Sequence, residues 1–493
     1  MATEAKRDSM DAGISEMKTK LDSTHLAPSS PPPKRPLGLT SLPPSVRNKI
    51  YAHVLDTELV NLGKPNVSYT HTFKSNTLHF SASRPPFPVC TALFYVNKAI
   101  SQEARHFFYS KNLWVKFEIY SSDARHAKTM LEDSGLLFSV AETESVEKCD
   151  RFALEVVLVE KNSAVKRATV LFPAQYLPRL VNFMEQASTA SASWAPNHAL
   201  FLTLLNTYGQ ETASVQGDLL EGFRLLAGLG KVTVDKQNTL PGYAEGLQDS
   251  MVAEKFDAEA WLQNVREMFE RAEGEEKKKE WKMAVQHCKA AIIELTYAYL
   301  TRAETLHSQP PEFQKSVQRL RYSIEHTLGI SLLGHILSSS ASPSSSTSPP
   351  PPPASLPLTP DTARTLLAAE KAFSHALSLS TDSPSPASNP WVRSLPAELI
   401  PPNDAAWFSD AEQGRAWAER GKVHLLMGEP LFAAGDLERA DRVLGSEDVQ
   451  EKQGEEVRGD VSMWFAKARE AIDWTVAPGT GLRKVARAAK VEE

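Results

Sequence analysis

The chain has 493 residues, a formal net charge of −6 at neutral pH, 42% hydrophobic residues and three cysteines. That length allows two or three domains, each with its own core, and the mild acidity argues against nucleic acid as a default partner. Cys90, Cys149 and Cys288 lie too far apart for a disulfide framework or a zinc spacing, which favours a reducing compartment. No apolar run reaches the ~18 residues that span a bilayer, and the polar N-terminus lacks the apolar centre of a signal peptide. The expected setting is therefore intracellular, cytoplasm or nucleus, with no membrane partner.

Residues 1–36 are polar, end in Pro31-Pro32-Pro33-Lys34-Arg35-Pro36, and are expected to be disordered because they cannot bury enough apolar surface. A helix follows over Leu42 to Leu55. Ser41 suits its N-cap, a proline fits its first turn, and Val46, Ile50, Tyr51, Val54 and Leu55 make one apolar stripe. A hairpin is expected over 67–80. A second helix carries Leu93, Val96, Ile100, Ala104, Phe107 and Phe108 on one side and stops near Ser110-Lys111-Asn112; Leu113 to Ile119 then reads as a strand.

Residues 37–120 resemble the split F-box of fungal F-box-like proteins. The matching positions are Leu42, Pro43, Val46, Ile50 and Val54-Leu55, followed by Val96-Asn97-Lys98, Glu103-Ala104, Phe108-Tyr109 and Asn112. The resemblance implies that Leu42, Pro43, Val46 and Ile50 touch the small adaptor subunit of a cullin ubiquitin ligase. Ser45 departs from the acidic residue usual in the family, and about forty residues separate the two helices where F-boxes normally have a short link. Read from its residues alone, the segment is equally a small helical subdomain packed on the rest of the chain.

Over 121–248 the pattern alternates. Phe152–Val159 and Ala168–Phe172 read as strands around the polar turn Lys161-Asn162-Ser163, Leu177–Ala187 as a helix and Ala199–Leu205 as a strand. Asp218–Ala227 reads as a helix closed by Gly228-Leu229-Gly230, and Lys231–Val234 as a strand. Together they suggest a small α/β layer.

Residues 249–337 and 359–476 carry a helical spacing that recurs three times: Ala284-Cys288-Ala291, Ala369-Phe373-Ala376 and Ala433-Leu437-Ala440. In the last copy Trp417, Gly421, His424 and Gly428 precede it at the matching places, and in the first Ala272 and Trp281 do so. The pattern resembles the tetratricopeptide repeat, in which small residues let paired helices approach closely. The resemblance implies packing roles for Trp417, Gly421, Ala284, Ala291, Ala369, Ala376, Ala433 and Ala440, and a superhelix that binds peptides; a plain helical bundle satisfies the same spacing. Thr301-Arg302-Ala303-Glu304 resembles the start of a following repeat. The middle copy lacks the usual first helix, since Ser/Pro-rich residues 338–358 stand there as an expected disordered spacer, and its helix starts with Thr359 as cap and Pro360 at its first position. The chaperone-tail clamp of some such proteins is not expected: the corresponding places hold Phe269, Glu273, Arg415 and Glu419, of which only Arg415 offers a carboxylate tail a paired charge. The run Glu275 to Glu280 reads as a solvated helix end, and 477–493 as a basic tail.

A search for catalytic motifs finds none: no phosphate loop, no His-Glu-x-x-His, no nucleophile elbow, and isolated histidines at His53 and His106. The expectation is an α+β, mainly α chain: an F-box-like helical module and a small α/β layer followed by a tetratricopeptide-like α-solenoid. It is expected to act as a non-enzymatic adaptor without cofactor or metal, which links a ubiquitin-ligase adaptor subunit to an unidentified substrate protein and binds no nucleic acid. The alternative is a tetratricopeptide-like scaffold with no ligase role.

Overall fold

The computed structural model describes residues 38–141, 143–340, 357–381, 404–445 and 452–490. The expected disordered stretch 1–36, most of 338–358, and Trp391 lie outside them. Among the described residues, fifteen α-helices and seven strands make a predominantly helical α+β arrangement. It divides into two compact units, Met1–Ile50 and Tyr51–Glu493.

In the first unit a 3-10 turn at Leu39–Ser41 leads into helix α1 (Pro44–Leu55). Ser41 does not cap this helix; its hydroxyl donates to the Gly38 carbonyl at 2.6 Å and closes the preceding turn. The shift follows from Pro43-Pro44, since a residue before proline is pushed out of the helical region. Leu42 is accordingly extended (ψ 147°), and Pro44 becomes the first helical residue.

In the second unit the last turn of α1 buries Tyr51 and Leu55. The Tyr51 hydroxyl donates to Glu103 Oε2 at 2.8 Å, and its ring lies 5.8 Å from that of Phe107. The hairpin forms as strands β1 (Tyr69–Lys74) and β2 (Thr77–Ala82), with Ser75 and Asn76 at positive φ in a two-residue turn. Helix α2 (Lys98–Asn112) begins later than its apolar stripe suggests, because the Asn97 side chain accepts from Ile100 N at 2.9 Å and caps it. Leu93 thus falls in a 3-10 turn, and Val96 stands before the helix, exposed.

The main sheet has the order β5-β3-β4-β6-β7. Its strands are β3 (Trp114–Tyr120), β4 (Leu154–Glu160), β5 (Lys166–Pro173), β6 (His198–Leu204) and β7 (Lys231–Val234). β3 runs parallel to β4 and antiparallel to β5, so the strands on either side of the Asn162 turn flank β3 and do not pair with each other. The expected module boundary at residue 120 separates β3 from the sheet it belongs to. β3 suits an inner position because most of its residues are buried on both faces. Its two charges are neutralised in place: Lys116 lies 2.8 Å from Glu118 and 2.9 Å from Glu155, and Lys166 lies 3.1 Å from Glu118. Connecting helices are α3 (Ala124–Glu132), α4 (Thr143–Glu147), α5 (Leu177–Ala190) and α6 (Thr212–Leu220). α6 starts and ends before the expected 218–227 helix, and a 3-10 turn at Glu221–Leu225 takes the rest. Leu226 is already extended (ψ 141°), so Gly228 at φ 70° turns a loop and caps no helix.

After α7 (Tyr243–Val252) come three helix pairs: α8 (Ala258–Lys277) with α9 (Trp281–His307), α10 (Pro311–Ser340) with α11 (Pro360–Ser380), and α12 (Asp410–Leu426) with α13 (Pro430–Leu444). Each pair also packs on the next, and α14 (Lys452–Glu470) packs on α13. The middle pair corrects the expectation that α11 lacks a first helix. α10 serves as that helix, and the Ser/Pro-rich residues are inserted in the connection between the two. Thr359 does cap α11, accepting from Thr362 N at 3.2 Å. Thr301 to Glu304 open no repeat: α9 is interrupted at Arg302 (φ −135°, ψ 32°) but runs on to His307. The run 275–280 is the end of α8 and a turn with Lys279 at φ 63°. Nor is 477–493 simply a tail. Helix α15 (Thr480–Ala489) packs on α11, with Val485 and Ala489 buried, and the buried Glu429 carboxylate accepts from Gly479 N and Leu482 N, both at 2.9 Å. A carboxylate at a helix N-terminus meets unpaired N–H groups and the positive end of the helix dipole.

Candidate functional site

Leu42 and Pro43 form the link between the Leu39–Ser41 turn and α1, and Val46 and Ile50 lie on α1. Pro43 is exposed, Val46 is 40% exposed, and Leu42 and Ile50 are half-buried. Val46 and Ile50 share a helix face at i, i+4 spacing. They form a small apolar surface, and the Arg47 guanidinium donates to the Leu42 carbonyl at 2.5 Å beside it. In the second unit the sequence reading missed Leu62 and Tyr95, each 80% exposed. Tyr95 stands at the end of the 3-10 turn before Asn97, and the Asn97 cap is the one signal in the sequence that separates it from the buried helix face.

The eight expected packing positions lie on the helix pairs. Ala284, Ala291, Ala369, Ala376, Ala433 and Ala440 are all 0% exposed, as are Cys288, Phe373 and Leu437 at the central places. Trp417 is 8% exposed, and at Gly421 an added Cβ would stand 2.8 Å from Leu437 Cγ, so only glycine allows α12 and α13 to approach this closely. Gly428 turns the chain at φ 77°. His424 is not merely an aromatic filler. Its Nδ1 lies 2.9 Å from Asp436 Oδ2, and Arg420 donates Nε and Nη2 to the same carboxylate, each at 2.8 Å. Burial opposes ionisation of Asp436, but hydrogen bonds from His424 and Arg420 outweigh it and hold its pKa below the usual carboxylate range. Arg420 also lies 4.7 Å over the Trp417 ring.

A histidine pair, not singled out by sequence reasoning, sits at the start of β6. His198 Nδ1 approaches the Trp194 carbonyl at 2.5 Å, and its Nε2 lies 3.2 Å from His126 Nε2 on α3. His198 then presents a lone pair at Nε2 and His126 donates to it, an arrangement that requires the His198 ring to be neutral. Burial lowers both pKa values, against the opposing pull of Glu160 on both and of Asp123 on His126. A histidine depressed in the folded state contributes stability above its unfolded pKa of ~6.5 that is lost as pH falls. The urea midpoint is therefore expected to drop between pH 7.5 and pH 5.5, with a smaller drop in His198→Gln. Equal pH dependence in the two proteins would refute this role.

Among the described residues no group of three or more His, Cys, Asp or Glu side chains is arranged to hold a metal ion, and no helix is long and apolar enough to cross a membrane. His53 and His106 are exposed and isolated from one another's chemistry. The free cysteines are exposed (Cys90), half-buried (Cys149) and buried (Cys288), and burial raises the Cys288 thiol well above its usual range, so that it is an inert core residue. A second group of buried charge is Glu221, Arg224 and Glu294, where the sheet layer meets α9. Compared with protein-family models, curated proteins and solved structures, the chain matches none.

Proposed function

We propose that the chain is a non-enzymatic protein-binding adaptor. Its N-terminal turn and helix would engage the adaptor subunit of a cullin-type ubiquitin ligase, and its C-terminal helix pairs would hold a substrate protein. The observation that carries the adaptor reading is the burial of all nine positions of the thrice-repeated spacing at the seams of three successive helix pairs. Tetratricopeptide-like repeats bury small residues at this spacing where paired helices meet, and their stacked helices offer a continuous peptide-binding face. The ligase reading is supported by the F-box-like run from Leu42 to Leu55 and by exposed Pro43 and Val46 within it.

The test is affinity purification of the full chain with mass spectrometry. The wild type is expected to recover a ligase adaptor subunit, and Leu42→Ala combined with Pro43→Ala to lose it. Val46→Glu should do the same at unchanged melting temperature, because Val46 already faces solvent. Ser45 and the long insert between α1 and α2 favour a second reading, a scaffold with no ligase role. That reading expects Leu42→Ala with Pro43→Ala to lower stability while the partner list stays the same, and Val46→Glu to change neither. A wild-type chain that never recovers the subunit decides for the scaffold.

A further inference from the structure

Where the sheet layer meets the first helix pair, a cavity opens in two lobes of about 220 Å³ and 330 Å³. Both lobes have Arg224, Asp249 and Asn264 in their walls. The larger lobe is polar and reaches Glu294, whereas the smaller has an aromatic wall formed by Trp261 and Phe256. None of this is an expected site: its residues come from the 3-10 turn after α6, from α7, α8 and α9, and no local spacing connects them.

The guanidinium groups here are already partnered. Arg224 Nε lies 2.7 Å from Glu221 Oε1 and Nη2 lies 3.2 Å from Glu294 Oε2, while Nη1 donates to the Gly246 carbonyl at 3.3 Å. Arg302, at the interruption of α9, donates to the carbonyls of Arg224 and Leu225 at 3.2 and 3.1 Å and lies 4.8 Å over the Phe256 ring. Arg271 lies 3.8 Å from Glu267. Lys255 stands in solvent at the rim.

The acceptors are not used up. Among the described residues Asp249 makes no side-chain hydrogen bond or ion pair, and neither does the Asn264 amide. Glu294 is 0% exposed, yet neither of its oxygens receives an aligned hydrogen bond, and Glu221 Oε1 is in the same condition. A buried carboxylate without directional donors is costly, and a charge-assisted N–H bond is the interaction that offsets that cost. Burial pushes the Glu294 carboxyl up to about 8, the response of a carboxylate that lacks sufficient compensation.

We propose that this cavity binds a small organic cation, a primary amine or guanidinium whose N–H groups meet Asp249 in front of the buried Glu294 and whose short aliphatic or aromatic body lies against Trp261 and Phe256. The aromatic wall adds cation–π attraction to apolar burial, and the Asp249 carboxylate favours a cation over carboxylates and phosphates. The same chemistry belongs to a free amine and to an Arg or Lys side chain of a bound peptide.

Isothermal titration of the full chain with phenethylamine, agmatine, N-acetyl-arginine amide and phenylacetate tests it. At least one cation is expected to bind and phenylacetate is not. Asp249→Asn should weaken that cation about tenfold or more, the loss of one charge-assisted contact. Its melting temperature should not change, since Asp249 is exposed and bonds to nothing described. Tighter binding of the arginine amide than of agmatine supports a peptide side chain as the source, and the reverse order supports a free amine. The proposal is overturned if no cation binds, if phenylacetate binds as well as phenethylamine, or if the bound cation is indifferent to both Asp249→Asn and Glu294→Gln.

Discussion

Asp436→Ala is expected to lower the unfolding free energy by about 3–5 kcal/mol, the range for breaking a buried ion pair from one side. Asp436 is 3% exposed and takes two 2.8 Å bonds from Arg420 and one of 2.9 Å from His424. Its removal leaves the Arg420 guanidinium, 7% exposed, with only the Ser374 hydroxyl at 3.3 Å and the face of Trp417. Neither carries a balancing charge. The pair therefore costs far more to halve than it contributes when whole, because both partners have already been taken from water. Removing both partners together, as Asp436→Leu with Arg420→Met, is expected to recover most of the loss. Urea unfolding of the wild type, the single variant and the double variant checks both statements. A single variant that loses less than ~1 kcal/mol would mean that water reaches Arg420 and that the seam between α12 and α13 is looser than described.

The second large effect lies at the seam between α10 and α11. Phe373→Ala is expected to cost about 3–5 kcal/mol, since the ring is 0% exposed and its loss leaves a cavity. Gly329 faces that ring across the seam, and an added Cβ would stand 2.6 Å from the ring atoms Cε1 and Cζ. Gly329→Ala alone should cost about 1–3 kcal/mol by overpacking. Combined, the two should cost less than their sum by about 1 kcal/mol or more, because the new methyl enters the space the ring has left. Additivity within ~0.5 kcal/mol would show that the two positions do not touch. The cycle is a direct solution test of the pairing of α10 with α11 across the Ser/Pro-rich insertion.

Much of the chain could be read from local pattern. β7 falls at the expected Lys231–Val234, the 67–80 hairpin forms with its turn at Ser75-Asn76, and the thrice-repeated small-residue spacing marks residues that are all buried. These features depend on period and turn chemistry, which a short window of sequence contains in full. The start of α2 is legible in Asn97, whose capping chemistry outranks the apolar stripe that runs through Val96. At α1 the stripe and the Ser41 cap pointed one way and Pro43-Pro44 the other, and the steric rule for prolines prevailed.

What the sequence determined by itself is the set of elements: helices with small residues at fixed spacing, strands with apolar runs, and turns at Gly428, Asn162 and Ser75-Asn76. Only the tertiary structure decided which elements meet. β3 inserts between β4 and β5, α10 pairs with α11 across an insertion, Thr480–Ala489 packs as a helix, and Glu221, Arg224, Glu294 and Asp249 converge on one cavity. The reason is physical: backbone periodicity is a short-range property of the chain, whereas pairing and charge burial depend on which apolar surfaces remain to be covered once every element has formed.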